Sequence, residues 1–374
     1  MSPSQKKRRT ITSDPRPAAA VKRLGDLRAR LHQERLDAFI TTSLAHVRYL
    51  SAFTGSNALC VVTPDRALIV TDTRYKDQVR EETQGFAALV AKGQLLDELP
   101  ATSILKEARR IGFEHALLPV AHHSRLAKLF PRKKFVGTDG IVESLACVKD
   151  ATEIALLRAA AAITDAVFGE ILSLLRPGVT ESELAAELSY RQRRRGAEGD
   201  AFEPIVASGI HGALPHARAS DKRLARGELV VLDFGCRVQG YHSDLTRTVA
   251  IGKPSAELRK MYRTVLEAQA RALDECRVPM RARELDAVAR AHIRRAGLGK
   301  YFSHSLGHGL GLQIHEDPKL SAKSSSMLVA GNVVTIEPGV YVPGIGGVRI
   351  EDDVVLGTRG HEILTRSPKE LTIL

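Results

Sequence analysis

From Val21 onward, apolar positions recur alternately at helical and at strand spacing. Leu24, Leu27 and Leu31 predict a basic amphipathic helix over residues 21–34. Residues 36–40, 58–62 and 67–70 read as short strands. The last two are joined by Thr63-Pro64-Asp65-Arg66, a turn with Pro at its second position. Residues 73–82 predict a polar helix, 111–113 and 116–120 further strands, and 124–129 another helix. This alternation predicts an α/β domain over residues 21–147. A disordered basic tail, rich in Ser, Pro, Lys, Arg and Ala, is expected over residues 1–20.

A second domain is expected over residues 148–374. Residues 151–175 form an Ala/Leu-rich helical pattern closed by Arg176-Pro177-Gly178. Thr180-Glu181-Ser182-Glu183 is a capping box that opens a second helix, with Leu184 and Leu188 one turn apart. An irregular polar segment follows over residues 207–222. Residues 255–273 and 284–296 predict two more helices, the latter stopped by Gly297, and after Lys300 the chain is Gly-rich and strand-like. Between these helices lies LVVLDFGCRVQGYHSDLTRTVAI, residues 229–251, whose two arms predict a β-hairpin with Gln239-Gly240 near its tip. Each arm carries one aspartate, Asp233 and Asp244. A turn centred on Val238-Gln239 sets them directly opposite, and one centred on Gln239-Gly240 offsets them by a diagonal step. Directly opposed residues stand about 4.5–5.5 Å apart at Cβ, where like charges repel. Two facing carboxylates in an apolar hairpin therefore call for a cation between them.

Length and composition narrow the class. With 374 residues and 44% hydrophobic content, the chain can build two full cores. No apolar run approaches the ~20 residues needed to cross a bilayer. The charged start has no apolar stretch behind it, so no secretory signal is read there. Cys60, Cys147, Cys236 and Cys276 are scattered, forming neither a zinc ribbon nor a disulfide framework, and a reducing cytoplasm is the expected location. A formal net charge of +12 invites a nucleic-acid partner. Much of the excess sits in Lys6 to Arg9 and in Arg191, Arg193, Arg194 and Arg195 on a predicted helix. Aromatics make up only 5% of the chain, so the stacking residues of single-strand binders are scarce. Solvated basic faces are the expected reading, with no nucleic acid and no membrane as partner. His122-His123 is adjacent rather than helically spaced and is not taken as a ligand pair.

The chemistry concentrates in four stretches of the second half. Besides the hairpin, SHSLGHGLGLQIHEDP (residues 303–318) holds His304, His308 and His315 among glycines that let backbone approach closely. Glu337 ends the strand pattern VVTI, aligned with Thr335. In GVRIEDD, Arg349 and Glu351 share one strand face. Singly, each is as well explained by a turn, a cap or a solvated edge. Together they supply four carboxylates and an imidazole without a thiolate, a set that leans toward Mn²⁺, with Co²⁺ or Zn²⁺ as alternatives. Four carboxylates exceed what one transition ion needs, whereas two divalent ions neutralise them.

In their order, LDFG…YHSDLTRT, GHGLGLQIHE, TIEPGVY and GVRIEDD resemble the pita-bread metallopeptidases, and among them the Xaa-Pro peptidases aminopeptidase P and prolidase. RLDAFITTSLAHVRYLSAFTGSNA and LIVTDTRY are similar to a creatinase-like N-terminal domain. The resemblance spans about residues 21–374. It implies an α/β (α+β) fold, in which a creatinase-like domain precedes a pita-bread catalytic domain with a curved antiparallel sheet flanked by helices. It implies two divalent metal ions per chain: Asp233 on one as a chelate, Asp244 and Glu351 bridging both, His308 and Glu337 completing the other. His216, His304 and His315 would meet the substrate, Arg349 would pair with site carboxylates, and Tyr341 falls near the site. Hydrolysis would proceed through a metal-bridging hydroxide, with Glu337 as general base and then acid. The expected substrates are peptides with proline at the second position, and the expected assembly is a homodimer. Aminopeptidase P is the reading taken, with prolidase as the alternative and a non-catalytic pita-bread binding protein as another.

Overall fold

Helix formation begins before the leucine pattern does. The computed structural model of the protein describes residues 16–374, so the tail expected over residues 1–15 lies outside the described residues. Helix α1 (Arg16–Gln33) takes in residues 16–20, which the sequence reading gave to the tail. Three successive alanines of high helix propensity account for the earlier start. Its leucines Leu24, Leu27 and Leu31 are buried.

The described chain divides into two compact units, the first ending at Leu145 and the second running from Ala146 to Leu374. In the first, β1 (Ala38–Thr41), β2 (Ala58–Val62), β3 (Ala67–Asp72), β4 (Ala87–Ala91), β5 (Arg110–Glu114) and β6 (Lys134–Thr138) make one sheet in the order β4-β3-β2-β1-β5-β6. Both faces are covered, as the two-residue period dictates. Ile40, Leu59, Val61 and Val70 pack with Leu99 and Leu126 on one side. Cys60 and Ile69 pack with Val47, Phe53 and Val79 on the other.

Local differences from the sequence reading have local causes. Helix α2 (Leu44–Ser51) was not anticipated. The polar stretch 73–82 splits into a 3₁₀ turn, Thr73–Tyr75, and α3 (Gln78–Glu82), because the Asp72 carboxylate caps the turn by accepting from Arg74 N–H. Residues 116–120 are not a strand. Leu117 and Leu118 turn back to the Glu114 carbonyl, and Pro119 leads into α4 (Val120–Leu129), which starts four residues before Ser124. Proline cannot donate to a sheet ladder but sits well just ahead of a helix. His123 packs its ring between Phe113 and Phe135, with centroids at 5.0 and 6.1 Å.

A six-residue helix, α5 (Ile141–Ala146), leads out of the first unit. In the second unit, α6 (Ala151–Ile171) and α7 (Glu181–Arg194) both open on capping boxes, Asp150 with Glu153 and Thr180 with Glu183. At the basic end of α7, Arg193, Arg194 and the following Arg195 are exposed, while Arg191 pairs with Glu170 at 3.1 Å and Glu187 at 2.9 Å and Arg195 also reaches Glu170. Next come β7 (Gly199–Asp200), β8 (Ile205–Ser208), β9 (Leu229–Phe234), β10 (Cys236–Val238), β11 (Tyr241–His242) and β12 (Leu245–Ala250). They are followed by α8 (Ala256–Glu275), β13 (Met280–Arg281) and α9 (Ala282–Arg295), and then by β14 (Gly307–Gly309), β15 (Glu316–Leu320), β16 (Met327–Leu328) and β17 (Val333–Ile336). β18 (Gly339–Val342), β19 (Gly346–Arg349), β20 (Asp352–Leu356) and β21 (His361–Ile363) complete the chain's antiparallel ladders. The larger of these sheets run β12-β9-β8, β11-β10-β7 and β15-β14-β17-β20-β21.

The hairpin resolves to the diagonal register. Val238 pairs with Tyr241 across Gln239-Gly240, whose φ values of 48° and 79° make the turn left-handed at both central positions. Asp233 therefore faces Thr246, one step from Asp244. Alternation then sorts the arms. Val230, Leu232, Phe234, Leu245 and Val249 enter a core with Leu184 and Leu188 of α7. Asp233, Thr246 and Thr248 turn to the opposite face. The second helix pair covers the other ladders: Val265 and Ala268 of α8 and Leu285 and Ala289 of α9 pack with Val334, Ile336, Val348 and Ile350. The functional side chains emerge between these two cores. Among the described residues, no helix is long and apolar enough to cross a membrane.

Candidate metal centre

Five carboxylate and imidazole side chains converge from five points of the second unit. Asp233 lies on β9, Asp244 just before β12, His308 on β14, Glu337 just after β17, and Glu351 between β19 and β20. Asp233, Asp244 and Glu351 are buried, at 7%, 5% and 2% exposure. Ligand atoms of Asp244, His308 and Glu351 lie within 4.8 Å of one another. Close packing of β14 on β17 makes this possible: a Cβ on Gly307 would stand 2.0 Å from the Thr335 carbonyl oxygen, so only glycine fits beside His308.

Burial and mutual repulsion push three of the carboxyl groups up, those of Asp244, Glu337 and Glu351. Asp244 is raised well above its ordinary value, by burial first and then by Glu351 and Asp233. Glu351 is raised likewise, by burial and then by Glu337 and Asp233. Burial lifts Glu337 to about 8, with Arg349 opposing. Asp233 Oδ1 and Asp244 Oδ1 are buried and find no hydrogen-bond donor among the described residues. Such groups are costly unless a cation or donor meets them.

His308 makes the same point more sharply. Its Nδ1 stands 2.9 Å from the Gly309 carbonyl, which can only accept, so Nδ1 carries the hydrogen. Burial lowers the ring's pKa to about 4, so it is neutral at pH 7 and Nε2 presents a lone pair. That lone pair faces Glu337 Oε1 at 3.5 Å and Asp244 Oδ2 at 3.8 Å. A lone pair aimed at two carboxylate oxygens is repulsive without a cation and is the geometry of a metal ligand with it. The donor set fits divalent metal ions.

Arg349 and Tyr341 form the wall beside this set. Arg349 Nη2 donates to Asp233 Oδ2, its Nη1 to the Tyr341 hydroxyl at 2.6 Å, and its Nε to Thr246 Oγ1 at 3.0 Å. One oxygen of Asp233 is thus engaged by Arg349, and the other is buried without a donor among the described residues. His304 is held more firmly than a substrate contact requires. Its Nδ1 donates to the Ser305 carbonyl at 2.8 Å, and burial lowers its pKa to about 4. Its Nε2 must then accept, and the donor is the Tyr341 hydroxyl at 2.9 Å. The chain Arg349 to Tyr341 to His304 commits Nε2, and the Ser305 carbonyl commits Nδ1. His216 and His315 are the exposed pair on the cavity wall, His315 with its ring edge-on to His308 at 4.4 Å.

Sequence reasoning missed the residues that hold the ligands. Thr246 Oγ1 donates to Glu351 Oε2 at 2.5 Å. Thr335 Oγ1 accepts from His308 N–H at 3.0 Å and donates to Glu337 Oε1 at 3.2 Å. Asp353 Oδ2 accepts from Asp244 N–H at 3.0 Å. Strand alternation places Thr246 two after Asp244 and Thr335 two before Glu337, which is the signal that would have found these two.

Of the site residues expected from the sequence, all but Tyr341 line one cavity of about 670 Å³. Phe202, Pro204, Ile205 and Ile314 give it an apolar side, and Arg218 and Lys319 a cationic one.

The chain has been compared with known proteins. Residues 155–358 match the model of metallopeptidase family M24, and residues 23–148 that of the creatinase/prolidase N-terminal domain. An Xaa-Pro dipeptidase of Pyrococcus horikoshii is 36% identical over 342 residues, covering 91% of this chain and 96% of the relative. The solved structure of an Xaa-Pro dipeptidase from Bacillus anthracis superposes with a TM-score of 0.93 at 41% identity, over 95% of this chain and all of that one. That of an X-Pro aminopeptidase from Thermotoga maritima gives 0.87 at 40% identity, over 92% of this chain and all of that one.

Proposed function

The chain belongs to metallopeptidase family M24 and carries a creatinase/prolidase N-terminal domain, and from that premise we propose that it is an Xaa-Pro dipeptidase. The observation that carries the choice is the cavity wall. Beyond the ligand set and Arg349, its fixed charges are Arg218, Lys319 and Glu203, a net positive addition to a lining that also holds the carboxylates. Neither Arg218 nor Lys319 has an ion-pair partner among the described residues. A dipeptide's free carboxylate is the group such a wall accepts, and in a longer peptide that carboxylate lies further along. Likeness to proteins named as Xaa-Pro dipeptidases points the same way. The preference for aminopeptidase P drawn from sequence gives way to it. Removal of Xaa from longer Xaa-Pro peptides is the second reading, favoured by the likeness to the Thermotoga maritima X-Pro aminopeptidase.

Asp233, Asp244, His308, Glu337 and Glu351 would hold two divalent ions, with Mn²⁺ suited to an oxygen-rich set and Co²⁺ or Zn²⁺ as alternatives. When bound, such ions supply an acidified water and a polarised scissile carbonyl. The chain's own residues do the rest. Glu337 Oε1 is held by Thr335, which leaves Oε2 to take the proton of the attacking water and return it to the proline nitrogen. His216 and His315 offer the donors for the developing oxyanion. His304, committed to Tyr341 and Ser305, fixes the wall rather than reaching for substrate. The apolar side at Phe202, Ile205 and Ile314 would take the Xaa side chain and exclude water. A cytoplasmic location accords with four free thiols, and a homodimer with the family resemblance.

Rates on a free Xaa-Pro dipeptide and on the Xaa-Pro-Yaa tripeptide, both in Mn²⁺, test the proposal. The dipeptide is expected to be the better substrate by at least about 10-fold. Replacing Arg218 and Lys319 together by alanine should lower kcat/KM for the dipeptide about 10- to 100-fold, the loss of a charge-assisted hydrogen bond. The tripeptide rate should barely move. Cleavage of the tripeptide alone would return the protein to the aminopeptidase reading.

A further inference from the structure

Behind the metal centre lies a guanidinium that the reaction does not touch. Arg247 is among the largest wholly buried side chains, although it follows Thr246 on β12 in a stretch that reads as polar. Its Nη1 donates to the Thr246 carbonyl at 3.0 Å and to the Glu351 carbonyl. Its Nη2 donates to Asp352 Oδ1 at 2.7 Å and to the Ser367 carbonyl at 2.8 Å. Its Nε is shared between the Ser367 and Pro368 carbonyls at 3.2 and 3.1 Å. All five donor hydrogens of the fork are thereby used.

We propose that Arg247 is a positioning residue that sets the spacing between Asp244 and Glu351, and that without it the centre holds one ion tightly instead of two. The inference rests on the two-ion reading above. Asp244 and Glu351 are the ligands assigned to both ions, and they sit on separate backbone segments. Arg247 ties those segments by grasping one carbonyl on each. The same junction is fixed by Glu351 N–H donating to the Thr246 carbonyl at 3.1 Å and by Thr246 Oγ1 on Glu351 Oε2. The guanidinium is itself anchored from behind. Asp352 also accepts from Gln269 at 2.7 Å, Lys369 at 2.9 Å and Thr365 at 3.0 Å. Asp165 grips Ser367 through N–H and hydroxyl at 2.8 and 2.6 Å. A buried ion pair is often replaceable by apolar groups without loss of stability, so its use here is geometric. Ligand placement within about half an ångström is what a two-ion site needs.

The test is Mn²⁺ titration of the full-length protein, with stoichiometry and each affinity read by calorimetry, and paramagnetic coupling between ions read by electron spin resonance. Wild type is expected to take two ions. Arg247→Lys and Arg247→Met are expected to keep the first ion's affinity, to weaken the second at least tenfold and to lose the coupling signal. In turnover they should lower kcat and leave KM unchanged, with lysine recovering part of what methionine loses. If both variants fail to fold, Asp352→Asn, which keeps shape and removes the charge that anchors the fork, should weaken the second ion by a smaller factor. Two ions at wild-type affinity in whichever variants fold would overturn the assignment. One ion at saturation in wild type would instead overturn the two-ion reading itself.

Discussion

Asp244→Ala is expected to abolish peptide hydrolysis while leaving the metal-free protein as stable as wild type or more so. Both halves follow from one feature. Asp244 is buried with Glu351, Asp233, Asp353 and Glu337 around it, and burial and these like charges together raise its pKa well above the ordinary value. One of its oxygens is buried without a donor. A carboxylate in that state subtracts stability from the metal-free fold, and its removal returns what desolvation and repulsion had taken. The cavity left by so small a deletion takes back about 1 kcal/mol, so the two terms nearly balance or favour the variant. Activity has no such compensation. Among the described residues, ligand atoms of Asp244, His308 and Glu351 fall within 4.8 Å of each other, so Asp244 would be central to holding the ions. Its loss should reduce kcat/KM by about 10³-fold or more. Asp244→Asn, which keeps the volume, separates the charge from the cavity. Measured on an Xaa-Pro dipeptide in Mn²⁺, turnover of the alanine variant within tenfold of wild type would remove Asp244 from the centre. A large drop in melting temperature with chelator present would show the side chain to be structural.

Much of this centre is legible in the sequence, and what is not has a physical reason. The two-residue period of residues 229–234 puts Asp233 on the face opposite Val230 and Leu232, and the structure keeps it there. Thr180 with Glu183 announces a helix start because the signal is contained in four residues. The hairpin register was not readable. It depends on Gln239 adopting φ 48°, which few non-glycine residues do, and nothing local advertises it. The hydrogen bond that holds His304 was not readable either, because its Nε2 meets a hydroxyl 37 residues away. The burial of Arg247 was not readable, since its partners at Glu351, Asp352 and Ser367 arrive more than 100 residues later. Periodicity assigns a side chain to a face. It does not tell what that face meets when the meeting is made by distant chain.

With chelator present, stability is expected to fall as pH rises from about 6.5 to about 8, and a divalent cation should flatten or reverse the slope. The raised carboxyl groups set the sign. A group whose folded pKa exceeds its unfolded value holds a proton in the native state that the unfolded chain releases, so its contribution is lost as pH climbs toward the folded pKa. For Glu337 that climb ends at about 8, and Asp244, Glu351 and Asp353 are raised in the same direction. Histidines oppose this at lower pH. His304 and His308, lowered to about 4 by burial, gain stability as pH rises to the ordinary imidazole value near 6.5 and add nothing above it. The interval from 6.5 to 8 therefore isolates the carboxylates. There each fully coupled proton is worth about 1.4 kcal/mol per pH unit, which for a unit of this size moves the melting temperature by about 3–6 °C per pH unit. Divalent ions bind the deprotonated set, so they compete with protons more effectively as pH rises. At a hundredfold excess over Kd they add about 2.7 kcal/mol. Melting curves at pH 6.5, 7.0, 7.5 and 8.0, each with chelator and with Mn²⁺, read both slopes. A chelated protein whose melting temperature stays constant across that interval would mean that burial and mutual repulsion do not raise these carboxyl groups, and the centre would lose its electrostatic reason to hold a metal.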